Sequence, residues 1–356
     1  YYINIRNVIY FESAYRYDDI VKVGGANMIS RTKPDLTKAQ VQDMFNSACL
    51  GEVISFDKLG DGEYNAVHDV VTDMGNYVLK VSPLDKTGIL TYEQDMMRGE
   101  VFWYAQIRAH TNVKVPYVYY KDFSHTVFPS DYFIMERMEG KQLNNAKLTK
   151  EEKLWCKEEI ARIIAKFHKV QNNKFGYIQN QLYDNWHLAL RSMTLNLIHD
   201  AERVGRKTKR GEKLLKYIDE YKDILEPITC SMVNLDMWYG NILCTRKNDK
   251  LELIVIDPER TVWGDSIFDF VNLEFEKMLN KKATSLMAYN EIAKIEVNGT
   301  KEEMIRFALG LGYLALIQET EKYYRYTPCH FGWWRNVASC KFLYSNAFRI
   351  LKHGTN

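Results

Sequence analysis

Residues Val233–Leu243 read VNLDMWYGNIL, and Ile254–Glu259 read IVIDPE. In the first stretch Asp236 precedes Asn241 by five positions, and an apolar strand follows directly. In the second, Asp257 ends an apolar strand sixteen residues beyond Asn241. Transfer of a phosphoryl group asks for such a set. One carboxylate accepts or orients the proton of the attacking hydroxyl, and a second carboxylate with an amide oxygen holds Mg²⁺ against the phosphates. Asp236 suits the first role, and Asn241 with Asp257 the second. Singly, each has a plainer reading: Asp236 and Asn241 satisfy a turn, and Asp257 closes a strand. The three together, in this order and spacing, favour the chemistry.

A lysine upstream points the same way. YVLKV (Tyr77–Val81) sets Lys80 inside an apolar strand, where an unpaired charge is costly to bury. Glu100 lies twenty residues on, in a helix read over Glu93–His110. A Lys80–Glu100 pair would align the α- and β-phosphates of a nucleotide. Glu93 is the rival partner; Glu100 is preferred because Val101, Phe102 and Tyr104 beside it read as the packed face. Between two strands upstream of Lys80, LGDGEYNAV (Leu59–Val67) carries Gly60 and Gly62. These glycines let backbone N–H groups approach phosphates, and they serve a plain hairpin turn equally well. No GxxxxGK[ST] loop and no strand–GxGxxG–helix unit occurs, which excludes the P-loop and dinucleotide-fold readings.

The chain has 356 residues and a formal net charge of +2, so no basic field points to nucleic acid. No apolar run reaches the roughly 18–20 residues of a membrane helix, and Tyr1–Phe11 is too broken by Asn4, Arg6 and Asn7 to read as a secretion signal. Six cysteines are scattered without metal-knuckle spacing, as expected of reduced thiols in a cytoplasmic protein. Neither nucleic acid nor membrane is an expected partner, and the oligomeric state is left open.

The texture changes along the chain. A helix at Leu36–Leu50, capped by Thr37, is followed by strand-like runs at Val53–Leu59, Asn65–Thr72, Tyr77–Val81, Tyr117–Asp122 and Tyr132–Glu136. Beyond Gly140, helical patterns cover Thr149–Val170, Trp186–Val204, Gly211–Leu225, Ile267–Leu279, Lys301–Tyr324 and Val337–Leu351, interrupted by the strands Ile242–Thr245 and Leu251–Ile256. This is an α+β layout with two lobes. The expected division is 1–138, carrying the nucleotide site and an extension over 1–35, and 139–356, carrying the catalytic loop and the substrate site.

These motifs resemble the aminoglycoside phosphotransferase and choline kinase superfamily, which has the protein-kinase-like fold of a small antiparallel sheet lobe and a larger helical lobe. The resemblance runs from about Leu36 to at least Leu279. It includes YFIMERMEGKQL (Tyr132–Leu143), similar to the family's inter-lobe hinge, and IIAKFHKV (Ile163–Val170) followed by Phe175–Tyr177 and Trp186. It implies ATP as donor with GTP as the alternative, Mg²⁺, and a small-molecule hydroxyl acceptor. It also implies that the backbone of Glu136 and Met138 holds the adenine. Asp269, in WGDSIFDF (Trp263–Phe270), would brace the catalytic loop, and His168 would be a packed helix residue. Two departures stand out. Asn234 occupies the usual His position, and Asp257 is followed by Pro258 and Glu259 rather than the Phe-Gly of protein kinases.

The resemblance leaves the acceptor open. An aminoglycoside or another antibiotic is one class, and choline, ethanolamine, a sugar or a glycated amine is another. A nucleotide-binding pseudokinase is the third reading, supported by Asn234 alone. Tyr323–Tyr326 and His330–Trp334 could wall an acceptor pocket or simply fill the core. Glu319 and Glu321 could attract a polyamine or solvate a helix face.

Overall fold

The computed structural model describes residues 34–59, 64–275 and 277–354. Strands β1 (Val53–Lys58), β2 (Ala66–Thr72), β3 (Gly75–Val81), β4 (Val118–Asp122) and β5 (Tyr132–Glu136) form an antiparallel sheet in the order β1-β2-β3-β5-β4. Alternation along β3 decides what each face does. Tyr77, Leu79 and Val81 enter a core shared with Val41, Met44 and Phe45 of helix α1 (Lys38–Ala48). Thr37 starts that helix through a reciprocal capping box with Gln40. Val78 points to the opposite face and into the larger core. Lys80, two residues along, shares that side. Because β3 lies between β2 and β5, with Lys80 opposite Val67 and Phe133, this lysine is enclosed on all flanks and is 4% exposed.

Helix α2 (Met96–His110) covers this second face. It buries Met96, Met97, Glu100, Val101, Trp103, Tyr104 and Ile107, so Glu100 belongs to the packed stripe. Trp103 meets Phe167 of α3 (Lys150–His168) edge to face, with ring centroids 5.0 Å apart. That contact ties the sheet-bearing part to the helical part. The rest of the helical part comprises α4 (Trp186–Arg203), α5 (Lys209–Glu220), α6 (Lys222–Leu225), α7 (Ala283–Asn290), α8 (Lys301–Arg325) and α9 (Phe331–Gly354). No helix among the described residues is long and apolar enough to cross a membrane.

Short strands within the helical part position the two motifs. Strands β9 (Ile242–Lys247) and β10 (Lys250–Val255) form a hairpin closed by Asn248 and Asp249, both with positive φ, as a two-residue primed turn requires. Its last pair is Ile242 with Val255. The sixteen-residue spacing in the sequence is therefore the length of one hairpin, which returns Ile256 to Asn241. The N–H of Ile256 donates to the Asn241 carbonyl at 3.0 Å. A second pairing closes the outer ends: β8 (Ser231–Val233) pairs with β11 (Val262–Gly264), Val233 facing Val262. The segments 234–241 and 256–261 are thus clamped together at both ends. Strand β7 (Gly176–Tyr177) completes that sheet, and β6 (Lys141–Gln142) extends the hairpin.

The structure corrects one expected helix. Ile267–Leu279 is not a single α-helix; it holds short 3₁₀ turns at Ser266–Phe270 and Leu279–Lys281 with turns between. The apolar spacing is there, but Asp269 is turned inward onto other backbone groups and Glu274 has φ 51°. The Lys282 ammonium donates to the carbonyls of Leu273 and Glu274 that a continued helix would have used.

Replacing Trp103 by alanine should cost about 3–5 kcal/mol, the range for truncating a large buried aromatic. Urea unfolding measures it; a loss below about 1 kcal/mol would mean that the α2–α3 contact does not hold the two parts together.

Candidate active site

Asp236 sits in the segment between β8 and β9. Its carboxylate Oδ2 accepts from the Asn241 carboxamide N–H at 3.0 Å, and its carbonyl accepts from the same group at 3.1 Å. Further hydrogen bonds fix the curl of the segment. The Trp238 N–H donates to the Asp236 carbonyl at 2.9 Å, and the Asn241 N–H to the Trp238 carbonyl at 3.0 Å. Burial pushes the Asp236 carboxyl above its usual range, with the Arg260 guanidinium pulling the other way.

Leu235 takes φ 60°, a left-handed conformation unfavourable for a branched side chain. Asp269 compensates for it. One buried carboxylate accepts the N–H of Asn234 at 3.0 Å and of Leu235 at 2.9 Å, and also meets His168 Nε2 at 3.0 Å. His168 is 5% exposed, and its other ring nitrogen meets the Tyr289 hydroxyl at 2.9 Å. Asn234 contributes a local bond: its Oδ1 accepts the N–H of Asp236 at 3.1 Å.

Lys80, Glu100 and Asp257 come together from β3, α2 and the end of the hairpin. The Lys80 ammonium lies 2.7 Å from Glu100 Oε2, 2.5 Å from Asp257 Oδ1 and 3.5 Å from Glu259 Oε2. Asp257 has φ 58°, held by its N–H donating to the buried Tyr104 hydroxyl at 3.0 Å. Burial pulls the Lys80 pKa down, but Asp257, Glu100 and Glu259 outweigh it and hold it well above the usual lysine range. Burial pushes Glu100 up to about 7 and Glu259 up to about 8, Lys80 opposing both. Glu93, the rival partner, instead pairs with Arg325 of α8.

Glu100, Asp257 and Glu259 offer carboxylate oxygens within 4.8 Å of one another. Such a set suits a hard divalent cation. Asn241 meets the second motif through its carbonyl and Asp236 through its carboxamide. Gly60 and Gly62 lie outside the described residues. Glu136 ends β5, with its N–H donating to the Tyr117 carbonyl at 2.7 Å. Two residues on, the Met138 N–H has no hydrogen-bond partner among the described residues.

Sequence reasoning missed the arginine after the second motif. Arg260 Nη2 lies 2.8 Å from Glu321 Oε1, and its Nη1 lies 4.0 Å from Asp236 Oδ1. Glu321 also accepts from the Tyr92 hydroxyl at 2.6 Å and is 5% exposed. Glu319, 4% exposed, pairs with Arg210 at 3.0 Å. Neither glutamate solvates a helix face; both neutralise arginines, because α8 is buried over most of its circumference. Trp333 packs edge to face on Tyr323 with centroids 5.7 Å apart, whereas Trp334 is exposed.

A model of the phosphotransferase enzyme family matches residues 55–276. This chain belongs to that family. No curated protein matches its sequence. Solved structures share the fold of this phosphotransferase at low identity. A Haemophilus somnus protein provisionally assigned as a fructosamine-3-kinase is 16% identical, with a TM-score of 0.60 over 87% of this chain and 96% of that one. The GDP and kanamycin complex of an APH(2″) enzyme is 12% identical, with a TM-score of 0.55 over 90% and 99% of the two chains. A thermostable mutant of APH(4)-Ia with ADP and hygromycin B is 14% identical, with a TM-score of 0.56 over 88% and 99%. The phosphotransferase motif segments 234–241 and 256–261 both fall within the matched residues.

Asp269→Ala would strand buried N–H donors and should destabilise the phosphotransferase by about 3–5 kcal/mol. Asp269→Asn, which keeps one acceptor, should cost less. Chemical denaturation of both variants tests this; equal, small losses would remove Asp269 from its bracing role.

Proposed function

We propose that this phosphotransferase moves the γ-phosphate of ATP, with GTP as the alternative donor, onto a hydroxyl of a small molecule. The observation that carries this reading is the joining of two sets, the Asp236–Asn241 pair at 3.0 Å and Lys80 with Glu100 and Asp257 at 2.7 and 2.5 Å, by the Ile256 N–H bond to the Asn241 carbonyl beside Asp257. Asp236 is the residue that takes or orients the acceptor's proton. Lys80, set by Glu100, aligns the α- and β-phosphates. Asp257 and Asn241 hold Mg²⁺, which when bound draws charge from the phosphate oxygens. Asn241 commits its carboxamide N–H to Asp236, which leaves its oxygen for the cation. The Met138 N–H, without a hydrogen-bond partner among the described residues, supports an adenine contact there alongside the Glu136 carbonyl, and Gly60 and Gly62, outside those residues, stay the proposed phosphate-contacting glycines. The described residues up to 138 would then form the nucleotide lobe and those from 139 the lobe that takes the acceptor; the expected extension lies, over residues 1–33, outside the described residues.

Similar folds solved with kanamycin, gentamicin and hygromycin B support a hydroxylated acceptor. The carboxylates at the end of α8 argue for one of low positive charge. Glu319 and Glu321 are already matched by Arg210 and Arg260, so neither offers a free charge to a polyamine. A sugar, choline, ethanolamine or a weakly cationic antibiotic fits that balance better than a polycationic aminoglycoside.

ATP consumption with Mg²⁺ across a panel of those compounds tests the reading. Asp236→Asn should lower kcat about 10²–10⁴-fold, the usual contribution of general base catalysis, with nucleotide affinity retained. Lys80→Ala should weaken productive nucleotide binding. Turnover that survives in Asp236→Asn would overturn the assignment, and ATP binding without turnover on any acceptor would move the protein to the pseudokinase reading.

A further inference from the structure

Lys80 faces three carboxylates. Its ammonium is within 3.5 Å of Glu100, Asp257 and Glu259, so with its carboxylates ionised the group has two more negative charges than positive ones. The next cation is no remedy, because Arg260 is committed to Glu321 at 2.8 Å. Lys80 and Glu100 are 4% and 0% exposed, so water screens little of this imbalance. A single divalent cation would bring the group to neutrality.

Three details point to where that cation goes. Glu259 uses only Oε2, which accepts from the Asn65 carboxamide at 3.2 Å and lies 3.5 Å from Lys80; its Oε1 has no hydrogen-bond partner among the described residues. The Asp257 side chain is 42% exposed, so one side of the group is open to an entering ion. Two buried oxygens beside the group are unmatched: Glu100 Oε1, and Oδ1 of Asn65, a residue 4% exposed and outside the acidic set. A buried oxygen acceptor without a donor is costly, and a cation with its bound water can satisfy such oxygens.

We propose that Glu259 is a metal ligand alongside Asp257, and that the Lys80 ammonium stands in for the cation between them when no metal is bound. The Asp257–Glu259 pair would then take a divalent ion before any nucleotide arrives, and loading would move Lys80 off Asp257 and onto Glu100 and the phosphates. The use of the metal rests on the phosphotransferase reading; the site itself does not.

The test is Mn²⁺ binding to the full chain without nucleotide, followed by calorimetry and by the loss of the free-ion paramagnetic signal. The wild type should bind one ion. Glu259→Gln keeps an acceptor for Asn65, so it should fold normally by thermal melting yet weaken Mn²⁺ at least about tenfold. Lys80→Met removes the competing cation and should bind Mn²⁺ more tightly than the wild type. No nucleotide-free Mn²⁺ binding by the wild type, or an unchanged affinity in folded Glu259→Gln, would overturn the proposal, and weaker binding in Lys80→Met would overturn the stand-in role. Turnover of ATP on an acceptor with Mn²⁺ affinity unchanged in Glu259→Gln would sink this inference and leave the proposed function standing. Mn²⁺ binding as expected, with no turnover on any acceptor, would do the reverse.

Discussion

The buried ammonium of Lys80 is the constraint around which this molecule is arranged. It projects from the middle strand of the sheet onto the face covered by α2, and it meets carboxylates from α2 and from the end of the β9–β10 hairpin. A charge so enclosed must be matched, and removing one partner of such a pair typically costs about 3–5 kcal/mol. The interaction therefore fixes three things together: the rotation of α2 that turns Glu100 inward, the approach of the hairpin to the sheet, and the backbone of Asp257.

A second carboxylate organises the other half of the site. Asp269 spends its oxygens on the backbone of Asn234 and Leu235 and on His168. Left-handed backbone at a non-glycine residue costs roughly 1–2 kcal/mol, and both Leu235 and Asp257 adopt it. Each strained residue donates its N–H to a buried acceptor, Asp269 in one case and Tyr104 in the other. The strain is thereby held beside Asp236 and at Asp257. Asn234 takes up a short bond to the Asp236 N–H, so the loop is braced locally without a histidine there.

The two halves are joined by ion pairs that run from Asp236 through Arg260 to Glu321, and from Glu321 through Arg325 to Glu93. This chain links the segment 234–241 to α8 and to the turn that precedes α2. Its guanidinium groups balance buried carboxylates, so a count of acidic residues on α8 does not give the free charge of that helix.

The sequence by itself determined the elements whose causes are local. An apolar run set β3 and surrounded Lys80, helical spacing put Glu100 in the packed stripe of α2, and Thr37 capped the first helix. The spacing of Asp236, Asn241 and Asp257 is one hairpin long, so it could be read without coordinates. Tertiary structure alone decided the rest. Glu259, Arg260 and Asn65 acquire partners 179, 61 and 194 residues away in the chain, and no local pattern encodes a pairing of that range. The segment Ile267–Leu279 carried helical spacing, yet the energy of matching buried N–H groups with Asp269 exceeded its local preference. Local propensity amounts to a few tenths of a kilocalorie per residue, whereas an unmatched buried donor costs about 1–3 kcal/mol, and that difference is why long-range contacts overrode the pattern there.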